Sequence, residues 1–168
     1  MSHSQDNKCQ TVSWAVGDAP LELGPCIAAI GNFDGVHRGH GKVIEAAIDA
    51  ARKAGVAAAA VTFDPHPREF FRHDDVPFCL ADRIEKDRLL AAAGVDRVIH
   101  VTFDDNLRCT DAAAFVTDIL PAIGVTGLFA GSDFAFGRGR GGDIDTINAM
   151  GADIDITATA VPLLSDKN

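Results

Sequence analysis

Short apolar runs and amphipathic segments alternate along the chain. The apolar run Cys26–Gly31 is too short for a typical helix and predicts a buried strand, whereas Gly41–Ala54 carries apolar residues at helical spacing. The same alternation recurs to the end of the chain, so the sequence predicts five strands. They are Cys26–Gly31, Val56–Phe63, Arg97–Val101, Val125–Ala130 and the apolar alternation within Asp153–Leu164.

Gly41–Ala54 is the first predicted helix, and capping and stopping residues locate the next ones. A helix over Asp82–Ala93 has a variant capping box, formed by Asp82 and Glu85, and is stopped by Gly94. These signals predict a helix of three to four turns between the second and third strands.

Two more helices are predicted in the second half of the chain. Thr110 has the residue type and position of an N-cap for a helix that runs to about Leu120, with Asp111 favourable in its first turn. Pro121 closes this helix. A short helix near Ile144–Met150 follows.

Strands that alternate with helices predict parallel β-α-β units, because parallel neighbours need a long crossover connection. Continuous apolar strands further indicate helices on both faces, so the predicted fold class is α/β with an open parallel sheet. Such sheets bind ligands outside the carboxyl ends of their strands. Three unusual segments follow strands there, and we expect them to meet in one crevice: Asn32–His40, Asp64–Phe78 and Gly131–Gly142.

Composition narrows the class of protein. The 168 residues fit one domain, and a net charge of −9 argues against binding nucleic acid through its phosphates. The four cysteines show no C-x-x-C spacing and predict neither a zinc site nor a disulfide framework. The N-terminus lacks a secretory signal and no apolar run is long enough to span a bilayer, so we expect a cytoplasmic protein without membrane association. Residues 1–14 are expected to be a disordered or extended segment before a domain over 15–168.

The first strand-end loop, GNFDGVHRGH, carries the strongest candidate chemistry. His37 and His40 flank the start of the following helix, where free backbone N–H groups favour an anion. Gly35 and Gly39 let the backbone approach a phosphate closely, and Asp34 is a candidate acid or metal-side residue. The context favours nucleotide-phosphate binding, with a metal-binding histidine pair and an inert turn as the alternatives.

Three motifs together carry a family resemblance: GNFDGVHRGH, VTFDPHPREFF and AGSDFAFGRGRGGD. In this order they resemble the FMN adenylyltransferase (FAD synthetase) module of bacterial bifunctional riboflavin kinase/FMN adenylyltransferases, in the nucleotidyltransferase superfamily. The resemblance covers roughly Ile27–Leu164. It implies a Rossmann-like fold in which ATP and FMN give FAD and pyrophosphate with Mg²⁺.

The resemblance also implies site residues. It makes His37 and His40 catalytic and gives no metal ligands. The implied ATP-binding residues are Gly31, Asn32, Phe33, Asp34, Gly35, His37, Gly39 and His40. The implied FMN-binding residues are Phe63, Pro65, His66, Pro67, Asp133, Phe136 and Arg138.

The second and third motifs also have purely structural interpretations. Phe70 and Phe71 offer apolar surface for a ring, but aromatic pairs equally seal a core. Arg138 and Arg140 are candidates to meet phosphates or to be solvated charges on a flexible glycine loop.

The chain departs from the family pattern at its end. The family's module continues into a Ser-Ser-Thr-x-Ile-Arg type motif and a riboflavin kinase domain, whereas this sequence ends in VPLLSDKN. We therefore do not expect it to phosphorylate riboflavin, and a separate riboflavin kinase is a candidate partner. The alternative to an active enzyme is a catalytically incomplete nucleotide- or flavin-binding module that needs a partner or has lost activity.

Overall fold

The computed structural model of the protein describes residues 9–33, 38–64 and 80–162. Its strands form one six-stranded sheet in the order β1-β4-β3-β2-β5-β6, and every neighbouring pair is parallel. The predicted open parallel α/β sheet is confirmed. The strands are β1 Gln10–Trp14, β2 Cys26–Ile30, β3 Ala57–Asp64, β4 Arg97–Thr102, β5 Val125–Gly131 and β6 Thr157–Val161.

Helices connect the strands. The longest are α1 Arg38–Ala54 and α2 Leu80–Ala93, followed by a short turn, α3 Asp105–Arg108. Helix α4 runs through three contiguous parts, Ala112–Ala114, a π-helical turn Phe115–Ile119, and Leu120–Ala122. Helix α5 spans Ile144–Gly151, and single 3₁₀ turns lie at Arg138–Arg140 and Ala152–Ile154. No helix within the described ranges is long and apolar enough to cross a membrane.

Apolar side chains cover both faces of the sheet. Along β2, Ala28 and Ile30 belong to one buried cluster and Ala29 to another, as the two-residue period of a strand requires. Helices α1 and α2 contribute Ile44 and Leu90 to the cluster of Ala29. Helices α4 and α5 cover the opposite face with a set of large apolar residues: Phe115, Val116, Ile119, Leu120 and Ile147. Both faces are therefore sealed by helices, as the continuous apolar strands predicted.

The edge strand β1 was missed by the sequence analysis, which predicted five strands. Gln10–Trp14 pairs in register with β4 and buries Trp14 to 4% exposure. The Trp14 indole N–H donates to the backbone oxygen of Ala19 at 3.1 Å. Most side chains of β1 are polar or exposed, so the segment QTVSW contains no apolar run that would predict a strand.

Two predicted helix starts were wrong. Helix α2 already includes Leu80, two residues before Asp82, and Glu85 accepts a hydrogen bond from Arg88 Nε at 2.9 Å instead of completing a capping box. The N-cap of α4 is Asp111, whose carboxylate accepts the Ala114 N–H at 2.8 Å. The side chain of Thr110 is engaged elsewhere, because its hydroxyl donates to the backbone oxygen of Asn106 at 2.7 Å.

Pro121 does not close α4, which continues to Ala122. The π-helical turn precedes it, and the Leu120 N–H donates to the oxygen of Phe115, five residues back. A proline removes a hydrogen bond that an undisturbed α-helix would make, and here the pattern is already interrupted. Gly94 and Gly124 follow α2 and α4 with φ of +109° and +81°, and Gly94 stops its helix as predicted.

Candidate nucleotide site

The carboxyl ends of β3, β2 and β5 lie side by side, because these strands are consecutive in the sheet. From β2 the chain proceeds outward through β3 to β4, and then crosses to β5 and β6 on the other side of β2. The strand order therefore reverses between β2 and β5, which is where open α/β sheets form a ligand crevice. The three segments singled out in the sequence all leave the sheet at this edge.

The turn after β2 is built around Phe33. Its backbone has φ of +50°, in the left-handed region, and its side chain is only 1% exposed. The ring meets the imidazole of His40 edge-on, with ring centroids 5.3 Å apart and planes at 80°. Phe33 also lies against Gly31, where an added Cβ would stand 3.5 Å from its ring. Its ring thus packs beneath His40 in the protein interior.

His40 lies in the first turn of α1, a helix of 17 residues. The side chain is half-buried. The first backbone N–H groups of a helix have no intrahelical acceptor and carry positive partial charge. This turn therefore combines an imidazole with backbone donors directly after β2. Gly39 belongs to the same turn, whereas Asp34, Gly35 and His37 lie outside the described residues.

Asn32 lies at the carboxyl end of β2. Its backbone oxygen accepts a hydrogen bond from the Thr62 hydroxyl at 3.3 Å, which ties the turn to β3. Its side-chain Oδ1 is buried and has no hydrogen-bond partner among the described residues. A buried amide oxygen without a donor costs free energy, so this atom is suited to accept a hydrogen bond from a bound molecule.

The second segment leaves β3 at Phe63 and Asp64. The half-buried Phe63 ring packs edge-on against Phe103, with centroids 6.4 Å apart. Phe63 faces the cluster covered by α4 and α5, whereas Phe33 belongs to the opposite cluster. The remaining predicted residues of this segment lie outside the described residues: Pro65, His66, Pro67, Phe70 and Phe71.

The third segment, after β5, is pinned to the body of the domain. Phe136 is 6% exposed and packs against Phe115 and Phe134, with ring centroids 4.7 and 5.7 Å away. Phe136 and Gly142 exchange two backbone hydrogen bonds of 3.0 and 2.9 Å. The Arg138 N–H donates to Thr110 O at 2.8 Å. The glycine-rich segment is therefore a packed turn around a buried ring.

Two of the predicted residues of this segment have exposed side chains, Asp133 and Arg138. Phe136 differs from them, because its ring fills the space beneath the segment and supports its backbone. Gly142 makes this packing feasible, since an added Cβ would stand 2.6 Å from the Phe136 ring. The geometry thus leaves a carboxylate and a guanidinium accessible on a rigid turn.

A polar network beside the carboxyl end of β3 was not predicted from the sequence. Arg83 Nη1 lies 2.6 Å from Asp64 Oδ2, and Arg83 Nη2 donates to the Ser13 hydroxyl at 3.0 Å. One turn further along α2, Asp87 Oδ1 lies 2.7 Å from Nε2 of the buried His100. Two features of the sequence could have indicated this network. One is a histidine inside the apolar strand RVIHV, and the other is the spacing of Arg83 and Asp87, four residues apart on a helix.

His100 has a depressed pKa. Burial is the main cause, and Arg83 acts in the same direction, whereas Asp87 and Asp64 oppose the shift. The neutral ring with its proton on Nε2 donates to Asp87, and Nδ1 is buried without a hydrogen-bond partner in the described part of the chain. A second proton would have no acceptor, which explains why this site disfavours the imidazolium.

The described ranges contain no group of three or more His, Cys, Asp or Glu side chains arranged to hold a metal ion. Among the described residues, Cys9, Cys26 and Cys109 are free thiols. Burial raises the pKa of the Cys26 thiol to about 11, as expected for an unreactive core cysteine.

Comparison with known proteins identifies relatives of this fold. A family model described as FAD synthetase matches residues 20–168. The bifunctional riboflavin kinase/FMN adenylyltransferase of Pseudomonas fluorescens is 41% identical over 136 residues, covering 80% of this chain and 43% of that protein. The FAD synthetase of Listeria monocytogenes is 34% identical over 139 residues, covering 82% of this chain and 56% of that protein.

The chain thus spans about half the length of these curated relatives. Among solved structures, a macrolide-efflux protein from Streptococcus pneumoniae matches with a TM-score of 0.74 at 21% identity. The match covers 92% of this chain and 51% of that one, and shows a shared fold. The family model spans nearly the whole chain, and the curated relatives match across most of it. The chain belongs to the FAD synthetase family.

Proposed function

We propose that this protein is an FMN adenylyltransferase that transfers AMP from ATP to FMN, giving FAD and pyrophosphate. Membership of the FAD synthetase family and the names of its relatives support this activity. The single structural observation that best supports this activity is the strand-order reversal between β2 and β5, together with the position of His40 in the first turn of the helix that follows β2. Open α/β sheets bind dinucleotides outside the carboxyl ends of their strands at such a reversal.

The reaction needs positioning and charge stabilisation more than covalent catalysis. A phosphate oxygen of FMN attacks the α-phosphorus of ATP in line, forming one P–O bond as the bond to pyrophosphate breaks. Negative charge grows on the leaving pyrophosphate oxygens. His40 and the backbone N–H groups of the first turn of α1 supply positive character there, and we assign His37 the same role.

The ATP side of the site includes the whole turn after β2. Gly31 and Phe33 shape the backbone, and Asn32 Oδ1 accepts a hydrogen bond from the nucleotide. We assign the remaining ATP contacts to three residues outside the described ranges and one in α1: Asp34, Gly35, His37 and Gly39.

The FMN side combines the ends of β3 and β5. Asp133 and Arg138 are exposed and available to the substrate. We propose that Phe136 acts by supporting this turn from beneath, because its ring is buried. The residues that follow β3 complete the FMN side: Phe63, Pro65, His66 and Pro67.

Mg²⁺ fits this site as a companion of ATP. In nucleotide enzymes this ion is held by one or two carboxylates together with substrate phosphates, so a three-ligand protein cage is not required. Asp34 and Asp133 are the candidate carboxylates, and Asp133 is exposed at the end of β5. Bound there, the ion would supply positive charge to the phosphate oxygens.

FMN is the product of riboflavin phosphorylation, and the curated relative from Pseudomonas fluorescens is named for both activities. We propose that a riboflavin kinase activity supplies FMN to this protein in the cytoplasm. The net charge of −9 is compatible with two anionic substrates, because local positive helix ends outweigh a distributed negative charge.

The first prediction concerns His40→Ala. We expect the wild-type protein to form FAD from ATP and FMN with Mg²⁺, and His40→Ala to lower kcat/KM by roughly 100-fold, since it removes a donor to the developing charge. Lys53→Ala is the matched control, because Lys53 is an exposed residue at the other end of α1. FAD formation and calorimetric titration of each nucleotide are measured on the same samples. Equal activity of wild type and His40→Ala would contradict the assignment of His40, and nucleotide binding without turnover by the wild type would contradict the activity.

A further inference from the structure

We propose that Arg83 is a positioning residue for FMN, acting through Asp64 to fix the carboxyl end of β3. The inference rests on the proposed function, since Phe63 and Asp64 border the FMN side. Nothing in the family resemblance assigned a role to α2.

Arg83 bridges two strands that are not neighbours. Its Nη1 lies 2.6 Å from the carboxylate of Asp64 on β3, and its Nη2 donates to the Ser13 hydroxyl on β1. Strand β4 lies between β1 and β3, so one guanidinium spans the carboxyl-terminal edge of three strands. The planar fork of arginine makes this double contact, which the single ammonium of lysine cannot reproduce.

The pair between Arg83 and Asp64 is partly shielded from water. The two side chains are 27% and 26% exposed, whereas those of Arg88 and Glu85, a pair on the same helix, are 64% and 54% exposed. Charge-assisted hydrogen bonds are stronger and more directional where solvent screening is reduced. The Arg83 pair therefore has the geometry to hold a carboxylate in place, whereas the Arg88 pair is an ordinary surface ion pair.

Asp64 is held from both its side chain and its backbone. Its backbone oxygen accepts the Phe103 N–H at 3.0 Å, and its carboxylate meets Arg83. As the last residue of β3, it sets the direction in which the chain leaves the sheet. Phe63, immediately before it, packs against Phe103. Removing the cation leaves the Asp64 carboxylate half-buried without its charged partner, and this strand end loses its side-chain ion pair.

A second polar contact fixes the helix that carries Arg83. Asp87 lies one turn further along α2 and meets the buried His100 on β4, at 2.7 Å. In the sheet register His100 lies between Ser13 and Thr62. The first half of α2 is thus docked on the sheet by directional polar contacts, which fix its orientation more narrowly than apolar packing alone.

The test separates FMN positioning from general stability. We expect Arg83→Gln to raise the KM for FMN roughly tenfold, the loss expected for one charge-assisted hydrogen bond, while kcat and the KM for ATP change less than about twofold. Arg83→Lys should recover part of the loss, because it keeps the charge beside Asp64. Arg88→Gln is the matched control on the same helix and should leave both constants unchanged.

Coupling to Asp64 is tested by a double-mutant cycle. If Arg83 acts through Asp64, Asp64→Asn gives a similar rise and the double variant is no worse than either single one. Additive effects, an unchanged KM for FMN in Arg83→Gln, or equal rises for FMN and ATP would each overturn the proposal. Calorimetric binding of ATP to Arg83→Gln establishes that the variant is folded, and if it is not, Arg83→Lys carries the test.

If the protein is not an FMN adenylyltransferase, the results differ from those expected if only the role of Arg83 is wrong. A wild-type protein that binds FMN but forms no FAD contradicts the catalytic activity, and the FMN dissociation constants of wild type and Arg83→Gln then decide the positioning role by the same tenfold criterion. A wild-type protein that does not bind FMN overturns both.

Discussion

Phe33 has a left-handed backbone, with φ of +50°, that non-glycine residues rarely adopt, and such a conformation costs about 1–3 kcal/mol. Its ring is almost fully buried and supports His40 edge-on. Burying a phenylalanine stabilises a fold by about 1.5–3 kcal/mol, which is of the same size as the backbone cost. Phe33 therefore bends the chain after β2 and supports the imidazole of the proposed ATP site.

The depressed pKa of His100 predicts a pH-dependent stability. The unfolded imidazole takes up a proton near its ordinary pKa of 6.5, whereas the folded protein resists protonation until lower pH. Stability is therefore fully present above about pH 6.5 and falls, by up to about 1.4 kcal/mol per pH unit, as the pH drops toward the folded pKa. Burial is the main reason for the depressed pKa of His100; of the charged groups near the ring, Arg83 lowers the pKa further, whereas Asp87 and Asp64 raise it.

The measurement is denaturant unfolding at pH 7.5, 6.5 and 5.5 for wild type and His100→Gln. Glutamine keeps a donor toward Asp87 but does not titrate, so the free energy of unfolding of His100→Gln should fall less between pH 6.5 and 5.5 than that of the wild type. Parallel pH curves for the two proteins would contradict a depressed pKa at His100.

At the scale of elements, the turn after β5 shows how a glycine-rich segment becomes rigid. Its glycines make room for neighbours, because Phe136 and Ala112 occupy the space where a side chain on Gly142 would lie. The buried Phe136 ring joins the segment to Phe115 of α4. The segment is therefore a packed turn around Phe136 that leaves Asp133 exposed.

Gly142→Ala tests this packing. The new Cβ would lie 2.6 Å from the Phe136 ring and 2.9 Å from the Ala112 Cβ, so the ring must move. Overpacking of this kind costs about 1–3 kcal/mol, and we expect the free energy of unfolding in urea to fall by that amount. Gly141→Ala is the matched neighbour, since its φ is −76° and its nearest contact is 3.4 Å. Equal stability of the two variants would show that Phe136 is not held as described.

At the scale of the whole molecule, the sheet order decides both the site and the extent of the domain. The strand order reverses between β2 and β5, where we propose the site, and β1 extends the sheet beyond β4. Trp14 joins the same cluster as residues of α4 and α5, so the start of the chain is tied to its second half. Residues 10–14 are therefore part of the folded unit.

A truncation tests the contribution of β1. Deleting residues 1–14 removes the pairing with β4 and the buried Trp14 side chain, and loss of a buried tryptophan alone costs about 3–5 kcal/mol. We expect a lower thermal unfolding midpoint by circular dichroism. Deleting residues 1–8, which leaves β1 whole, is the comparison. If both truncations unfold at the same temperature, β1 contributes nothing to the sheet.

The amino-acid sequence by itself determined the fold class, the β2 to β6 strands and the sheet edge at which three candidate segments leave the strands. Continuous apolar runs such as those of β2 and β3 are local signals, and burial on both faces needs no further information. The glycine that stops α2 and the His40 position at the start of α1 are likewise set by neighbours in sequence.

Only the tertiary structure decided that Gln10–Trp14 is a strand, that Phe136 is buried and that Arg83 joins Asp64 to Ser13. None of these has a periodic signature, because each depends on a residue far away in the chain. A polar edge strand is stabilised by the backbone of its partner, and a partly buried ion pair by the shielding that other elements provide. Such contacts exist only once the sheet has assembled, which is why the pattern along the chain does not reveal them.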